Sequence, residues 1–209
     1  MFSFIHQAVS DFRHTGSVWP SSPRLAAAMT RPIFSSHTPR RILEVGPGTG
    51  PFTKVILKSL RPGDTFEIVE INPHFCRHLE KTILSPFRRA NPNIKVLLHQ
   101  SPIEQADLQP GFNHMVCGLP FNNFPPPLVR SIFRQMIDLL CEGGDLSYFE
   151  YAGVRVLKHP LLGRSGRSKV RRHQAHGLTM HRQHAGNRKL VMANFPPAVA
   201  IRLTRTATA

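Results

Sequence analysis

The stretch from Ile42 to Phe52, ILEVGPGTGPF, constrains the fold more than any other part of the chain. An apolar run ends in an acid, glycines then alternate with proline and threonine, and a helix-compatible run extends from Pro51 to Leu60. A strand, a glycine turn and a helix in that order build a ligand crevice beyond the carboxyl ends of an open α/β sheet. Gly46, Gly48 and Gly50 let the backbone turn sharply and approach a ligand without Cβ clashes. A dinucleotide site would read GxGxxG, with helix amides facing a pyrophosphate. Here the spacing is GxGxG, which counts against a nicotinamide enzyme. Glu44, two residues before the first glycine, is poorly placed for a pyrophosphate and well placed for a cationic ligand.

The rest of the chain extends this pattern. RILEV (41–45), TFEIVEI (65–71), IKVLLHQ (94–100), FNHMVCGLP (112–120) and DLSYFEY (145–151) read as strands. Between them, helices are predicted over 51–60, 73–84 and 127–141, the last ended by Gly143–Gly144. Ser22 before Pro23 is an N-cap with a proline at the first helical position, opening a helix to about Met29, which Pro32 and SSHTP terminate. The closing run RKLVMANFPPAVAIRLTR forms two strand-like pieces around Pro196–Pro197, an antiparallel pair. Strands alternating with helices predict a Rossmann-like, doubly wound, mostly parallel sheet. Residues 1–36 carry N-terminal helices and 37–209 the α/β domain, with a basic loop at about 159–188.

Within that frame Glu70, at the end of the second strand, can accept two hydrogen bonds from a ribose diol. The crevice therefore suits a nucleoside with a cationic, amino-acid-like tail and no phosphates. S-adenosylmethionine meets all three conditions.

Charge narrows the partner. The chain of 209 residues has a formal net charge of +15, which points to nucleic acid or an anionic membrane surface. No Asp or Glu occurs beyond Glu150, and RSGRSKVRR (164–172) is the densest basic part. Residues 2–13 place Phe2, Phe4, Ile5, Ala8, Val9 and Phe12 on one side of a helix, a face that fits a lipid interface or a protein core. No run of about 18 apolar residues is present, and the N-terminus lacks the pattern of a secretory signal. Cys76, Cys117 and Cys141 form no CxxC pair, which fits a reducing cytoplasm. His159, His173, His176, His181 and His184 have no Cys or carboxylate beside them, so no metal is expected there.

Over residues 41–151 the chain resembles the class I S-adenosylmethionine-dependent methyltransferases. The resemblance implies cofactor contacts from Glu44, Gly46, Gly48, Thr49, Gly50, Glu70 and Ile71, with Gln100 or Ser101 near the adenine. Gly118-Leu119-Pro120-Phe121 falls where the methyl group is presented. Adenine dimethylases of ribosomal RNA carry Asn, Asp or Ser where this chain has Gly118. More of the chain is similar to the small bacterial phospholipid N-methyltransferases that act on phosphatidylethanolamine. The shared pieces are Gly16 to Ser22, Glu44 to Gly50 with Thr53, Glu70-x-Asn72-Pro73-x-Phe75, Gly118 to Pro120, and Asn194-x-Pro196-Pro197-Ala198.

The resemblance implies an S-adenosylmethionine-dependent N-methyltransferase acting on phosphatidylethanolamine, cytoplasmic and peripherally bound to the inner face of the cell membrane. Residues 2–13 and 164–172 are its expected membrane contacts. The substrate amine would meet Gly118, Leu119, Phe121 and Asn122, and Phe121 or Trp19 would favour a methylated ammonium by cation–π attraction. The alternatives are an adenine N-methyltransferase of RNA and a non-catalytic lipid- or RNA-binding module of the same fold.

Overall fold

The computed structural model describes residues 21–35, 39–119, 121, 124–151 and 185–206. Among them β1 spans Arg41–Val45, β2 Thr65–Val69, β3 Lys95–His99, β4 Phe112–Cys117, β5 Leu140–Tyr151, β6 Ala185–Val191 and β7 Ala198–Thr204. They form one seven-stranded sheet in the order β3-β2-β1-β4-β5-β7-β6. The first five strands are parallel, and β7 runs antiparallel between β5 and β6. This is the doubly wound sheet with a C-terminal antiparallel pair that the sequence predicts. Chain order reverses between β1 and β4, and such a switch point opens a crevice at the carboxyl ends.

Helices cover both faces, which is why the central strands are apolar throughout. On one face α1 (Pro23–Phe34), α2 (Pro51–Leu57) and α3 (Pro73–Leu79) bury Leu25, Met29, Phe52, Ile56 and Leu79 against Ile42, Phe66 and Ile68. A π turn (Glu80–Leu84) and α4 (Ser85–Ala90) continue α3. On the other face α5 (Pro126–Leu139) buries Ile132, Phe133 and Met136 against Leu43, Met115 and Leu146.

Three of the boundaries that differ from expectation do so for a backbone reason. α1 opens at the predicted cap, where Ser22 Oγ accepts the Leu25 N–H at 3.2 Å, but it runs through Pro32 to Phe34. A proline in a last turn forfeits one ladder bond, and the buried Pro32 and Ile33 offset it with packing. The helical run from Pro73 passes Leu84 and reaches Ala90; the wider π turn ends at Leu84, two residues before Pro86, whose ring would crowd an α-helical carbonyl. α5 stops at Leu139, before the glycines, which lie inside β5 instead. Gly143 has φ 72°, and the β4–β5 register jumps from Phe112↔Leu140 to His114↔Asp145, a bulge. Its amide donates to the Arg205 carbonyl at 2.9 Å, and the Gly144 carbonyl accepts from the Arg205 amide at 2.9 Å.

A buried ion pair fastens the amino ends of the central strands. Arg40, 1 % exposed, donates to both oxygens of Asp64 and to the carbonyls of Ile33 and Ser59. Asp64 also accepts the amides of Arg40 at 2.8 Å and Arg61 at 2.9 Å. Burial pushes the Asp64 carboxyl up, but the Arg40 side chain and these two amides outweigh it and hold it below its ordinary value.

Candidate active site

At the end of β1 the chain turns through Gly46 (φ 70°), Gly48 (φ 58°) and Gly50 (φ 83°), a conformation L side chains rarely adopt. The Gly46 amide extends the β1–β2 ladder to the Val69 carbonyl at 2.9 Å, and the Gly118 amide extends β4 onto Val45 at 2.8 Å. The glycine turn and Gly118 are therefore adjacent at the switch point. A Cβ on Gly118 would come closer than 3.0 Å to the Gly46 carbonyl oxygen, nearer than Cβ atoms approach backbone. One on Gly50 would meet Ile83 Cδ1 at 2.7 Å. Gly48 is different: nothing lies within 4 Å of where its Cβ would stand.

That open space belongs to a cleft at the carboxyl ends of the central strands, walled mostly by apolar side chains. Of the sequence-predicted residues, Gly46, Gly48, Glu70, Ile71, Ser101, Gly118 and Leu119 line it together. Glu70 is buried and bridges two turns: Oε1 accepts the Asn72 amide at 2.8 Å and Oε2 the Gly48 amide at 3.1 Å. Burial raises its pKa, and the amides of Asn72, Gly48 and Ile71 pull against that. Each oxygen keeps a lone pair for an incoming hydroxyl. The Ser101 hydroxyl is buried and has no hydrogen-bond partner among the described residues.

Other expected residues lie elsewhere. Glu44 is not a wall residue, because strand alternation turns Val45 to the cleft and Glu44 away. Its Oε2 accepts the Thr53 hydroxyl of α2 at 2.7 Å, and Oε1 is buried without a partner among the described residues. With 0 % exposure, burial raises the Glu44 carboxyl to about 8, with a smaller push from Glu70. The raised value means folding binds a proton that the unfolded chain releases above about 4.5. Stability from this group is therefore present at acid pH and lost as pH rises through about 8. Glu44→Gln should flatten that decline between about pH 4.5 and 8 and leave the chain a few kcal/mol (roughly, by linkage) more stable than wild type at pH 9, by urea melts at pH 5, 7 and 9.

Thr49 and Gln100 are exposed and, like the packed Gly50, are not among the cleft residues. The sequence places Phe121 beside the methyl group, but it is buried among aromatic rings, 4.6 Å from the Phe133 centroid and 6.2 Å from those of Phe124 and Tyr148. The Phe121 amide donates to the Leu119 carbonyl at 3.0 Å and the Phe124 amide to the Phe121 carbonyl at 3.1 Å. Phe124 lines the cleft in its place. Asn122, Trp19, residues 2–13, the basic segment 164–172 and the histidine run lie outside the described residues.

Sequence reading does not single out Phe75, Ile103, Glu104, Phe124 or Ile132 as cleft walls. Phe75 has a signal, its place in the first turn after Asn72-Pro73, where Asn72 Oδ1 caps α3 by accepting the His74 amide at 2.9 Å. Glu104 has a fainter one. It is an acid a few residues beyond β3, in the 3₁₀ turn Ile103–Gln105. The residues present fit a nucleoside. Apolar walls suit a base, Glu70 suits a diol, Ser101 offers its hydroxyl, and Gly48 leaves the space open.

No protein-family model matches the chain. Among solved structures, it superposes on an O-methyltransferase of tomaymycin synthesis from Streptomyces achromogenes, solved in complex with SAM. The TM-score is 0.64 at 14% identity, over 97% of this chain and 89% of that one. A SAM-dependent O-methyltransferase from Thermotoga maritima gives a TM-score of 0.60 at 10% identity, over 97% and 72% of the two chains. The fold is thus that of the class I methyltransferases. In sequence, the chain is 34% identical over 144 residues to an ornithine lipid N-methyltransferase from Singulisphaera acidiphila, covering 64% of this chain and 70% of that protein. It belongs to that family of S-adenosylmethionine-dependent methyltransferases.

Proposed function

We propose that the chain methylates the primary amine of a membrane lipid, phosphatidylethanolamine first, at the membrane surface. The observation that carries this reading is the packing of Gly118 on the Gly46 carbonyl. Position 118 has no room for the Asn, Asp or Ser with which adenine dimethylases hold a base. An amine offered here would meet backbone oxygens and apolar walls instead. The lipid substrate named for the 34% identical relative supports the same class. Because that substrate is an ornithine lipid, an ornithine lipid is the second candidate acceptor.

The bound cofactor supplies a methyl group on a sulfonium, open to in-line attack by a neutral amine. The chain supplies position. Glu70 would take the ribose diol and keep Gly48 in place through its amide. Ser101 and Glu104 would meet the polar edge of the adenine. Leu119, Phe124 and Ile132 exclude water, and the carbonyls of Gly118 and Leu119 would orient the amine, most of whose advantage is proximity. The basic charge after Glu150 suits an anionic lipid surface. Reversing Arg167, Lys169, Arg171 and Arg172 together should weaken binding to anionic vesicles by on the order of a thousandfold at low salt, since each of the four cations contributes about 1 kcal/mol. Unchanged binding in a flotation assay would remove segment 164–172 from the docking surface.

The function is tested with methyl-labelled S-adenosylmethionine and three acceptors offered separately: phosphatidylethanolamine vesicles, ornithine lipid vesicles and total RNA. Label is expected in the lipid extract and absent from Glu70→Ala. Label in RNA alone overturns the proposal.

A further inference from the structure

The β6–β7 hairpin ends in a turn, residues 192–197, that the cleft does not use. Met192 is 69 % exposed and Phe195 74 %, and Leu190 at the end of β6 is 57 % exposed. A turn of this kind normally carries polar residues. Strand register sets its location: Tyr151 pairs with Ala198, and Val191 pairs with Ala198 from the other side. The turn therefore projects beyond the carboxyl end of the sheet, the end at which the cleft opens. β7 and β6 are the second and third strands from β4, so the turn stands roughly 10–15 Å from the Gly118 side of the cleft at ordinary strand spacing.

The turn is held firmly. Asn194 is buried beneath it; Oδ1 accepts the Ser22 amide at 2.9 Å, and Nδ2 donates to the Pro196 carbonyl at 2.8 Å. Val191 and Ala198 are buried at its base. Ser22 and the piece Asn194-x-Pro196-Pro197-Ala198 thus meet in space, and the contact holds Met192 and Phe195 outward while α1 starts alongside. The surroundings are basic. Arg24 stands exposed in the first turn of α1, where the helix dipole favours an acid, and exposed Arg188 and Lys189 precede Leu190.

From this arrangement we infer that the hairpin turn is a membrane wedge: Met192, Phe195 and Leu190 enter the lipid interface while Arg24, Arg188 and Lys189 meet anionic headgroups. Apolar tips ringed by cations match an anionic bilayer. A second copy of the chain fits poorly, because it would set two cationic rims, on chains of net charge +15, against each other. The wedge rests on the lipid reading above and deepens it. With the turn in the interface, the cleft would face the surface from which a headgroup amine arrives.

The test places a polarity-sensitive fluorophore on Met192→Cys or Phe195→Cys in a Cys141→Ser background, since Cys76 and Cys117 are buried. Adding vesicles of phosphatidylethanolamine and phosphatidylglycerol should blue-shift the label, and nitroxide on the acyl chains should quench it. The double variant Met192→Ser/Phe195→Ser should lose vesicle affinity by at least about tenfold, while its circular dichroism and its thermal shift with S-adenosylmethionine stay as in wild type. A label that remains aqueous while the protein binds vesicles overturns the wedge. So does a label already shielded without lipid, with sedimentation telling self-association from cover by the chain's own segments. Failure of the lipid reading looks different: the label enters the bilayer, yet no lipid gains a methyl group.

Discussion

Gly48→Arg is expected to yield a folded chain that no longer binds S-adenosylmethionine. The new Cβ would meet nothing within 4 Å, so the core is not disturbed, but the side chain must occupy the cleft. Its backbone cost is that of an L residue at φ 58°, about 1–2 kcal/mol. For a chain of this size that is a fall in Tm of roughly 2–8 °C. Wild type at a hundredfold excess of cofactor over Kd should gain about 2.7 kcal/mol of stability. Gly48→Arg should gain none, and its methyl transfer should fall on the order of a thousandfold or more, the scale of lost positioning. Gly118→Ala should behave in the opposite way. There the Cβ strikes the Gly46 backbone, and overpacking of that kind costs about 1–3 kcal/mol, so the fold itself weakens. Thermal shift with and without cofactor separates the two. A full cofactor shift in Gly48→Arg would mean that the ligand binds elsewhere.

Arg40→Met should be the most destabilising single change in the described core. It strips the cation from Asp64 and leaves a buried carboxylate with amide partners only. Breaking a buried pair from one side costs about 3–5 kcal/mol, a Tm loss on the order of 10 °C. The pH dependence carries the signature. In wild type the folded Asp64 pKa lies below the unfolded one, so its contribution is present above the unfolded value and lost as pH falls through the folded one. In Arg40→Met that acid limb should flatten. Asp64→Asn in the Arg40→Met background should recover part of the loss, because the buried charge goes. Urea melts at pH 7 and pH 3 measure both effects, and an unchanged acid limb would remove Arg40 as the cause of the low Asp64 pKa.

Local signals reach far along this chain. The cap at Ser22, the strands and the glycine turn are legible because each depends on neighbouring residues and the backbone angles they allow. Boundaries fail where packing overrides a breaker: Pro32 stays helical because Ile33 is buried beside it, and Gly143–Gly144 form a bulge because Arg205 pairs with them. At the cleft, Gly46, Gly48 and Glu70 stand out by spacing, and the family resemblance adds Ser101 and Gly118. Phe124, Ile132 and Glu104 do not, since an apolar residue facing a ligand reads the same as one facing the core, and an acid displaced along a turn has no fixed spacing.

By itself, then, the sequence determined the order of strands and helices, the crevice at the carboxyl end of β1 and the paired acids, because periodicity and glycine spacing are properties of consecutive residues. Only the tertiary structure decided which acid faces the cleft. Glu44 and Glu70 look alike in sequence, but pleat alternation turns one into α2 and burial among three amides holds the other at the wall. It also decided that Phe121 is core and Phe124 wall, and that Ser22 and Asn194, 172 residues apart, clamp an apolar turn beside the catalytic end. Those outcomes depend on contacts between distant segments, and no local pattern records which segments will meet.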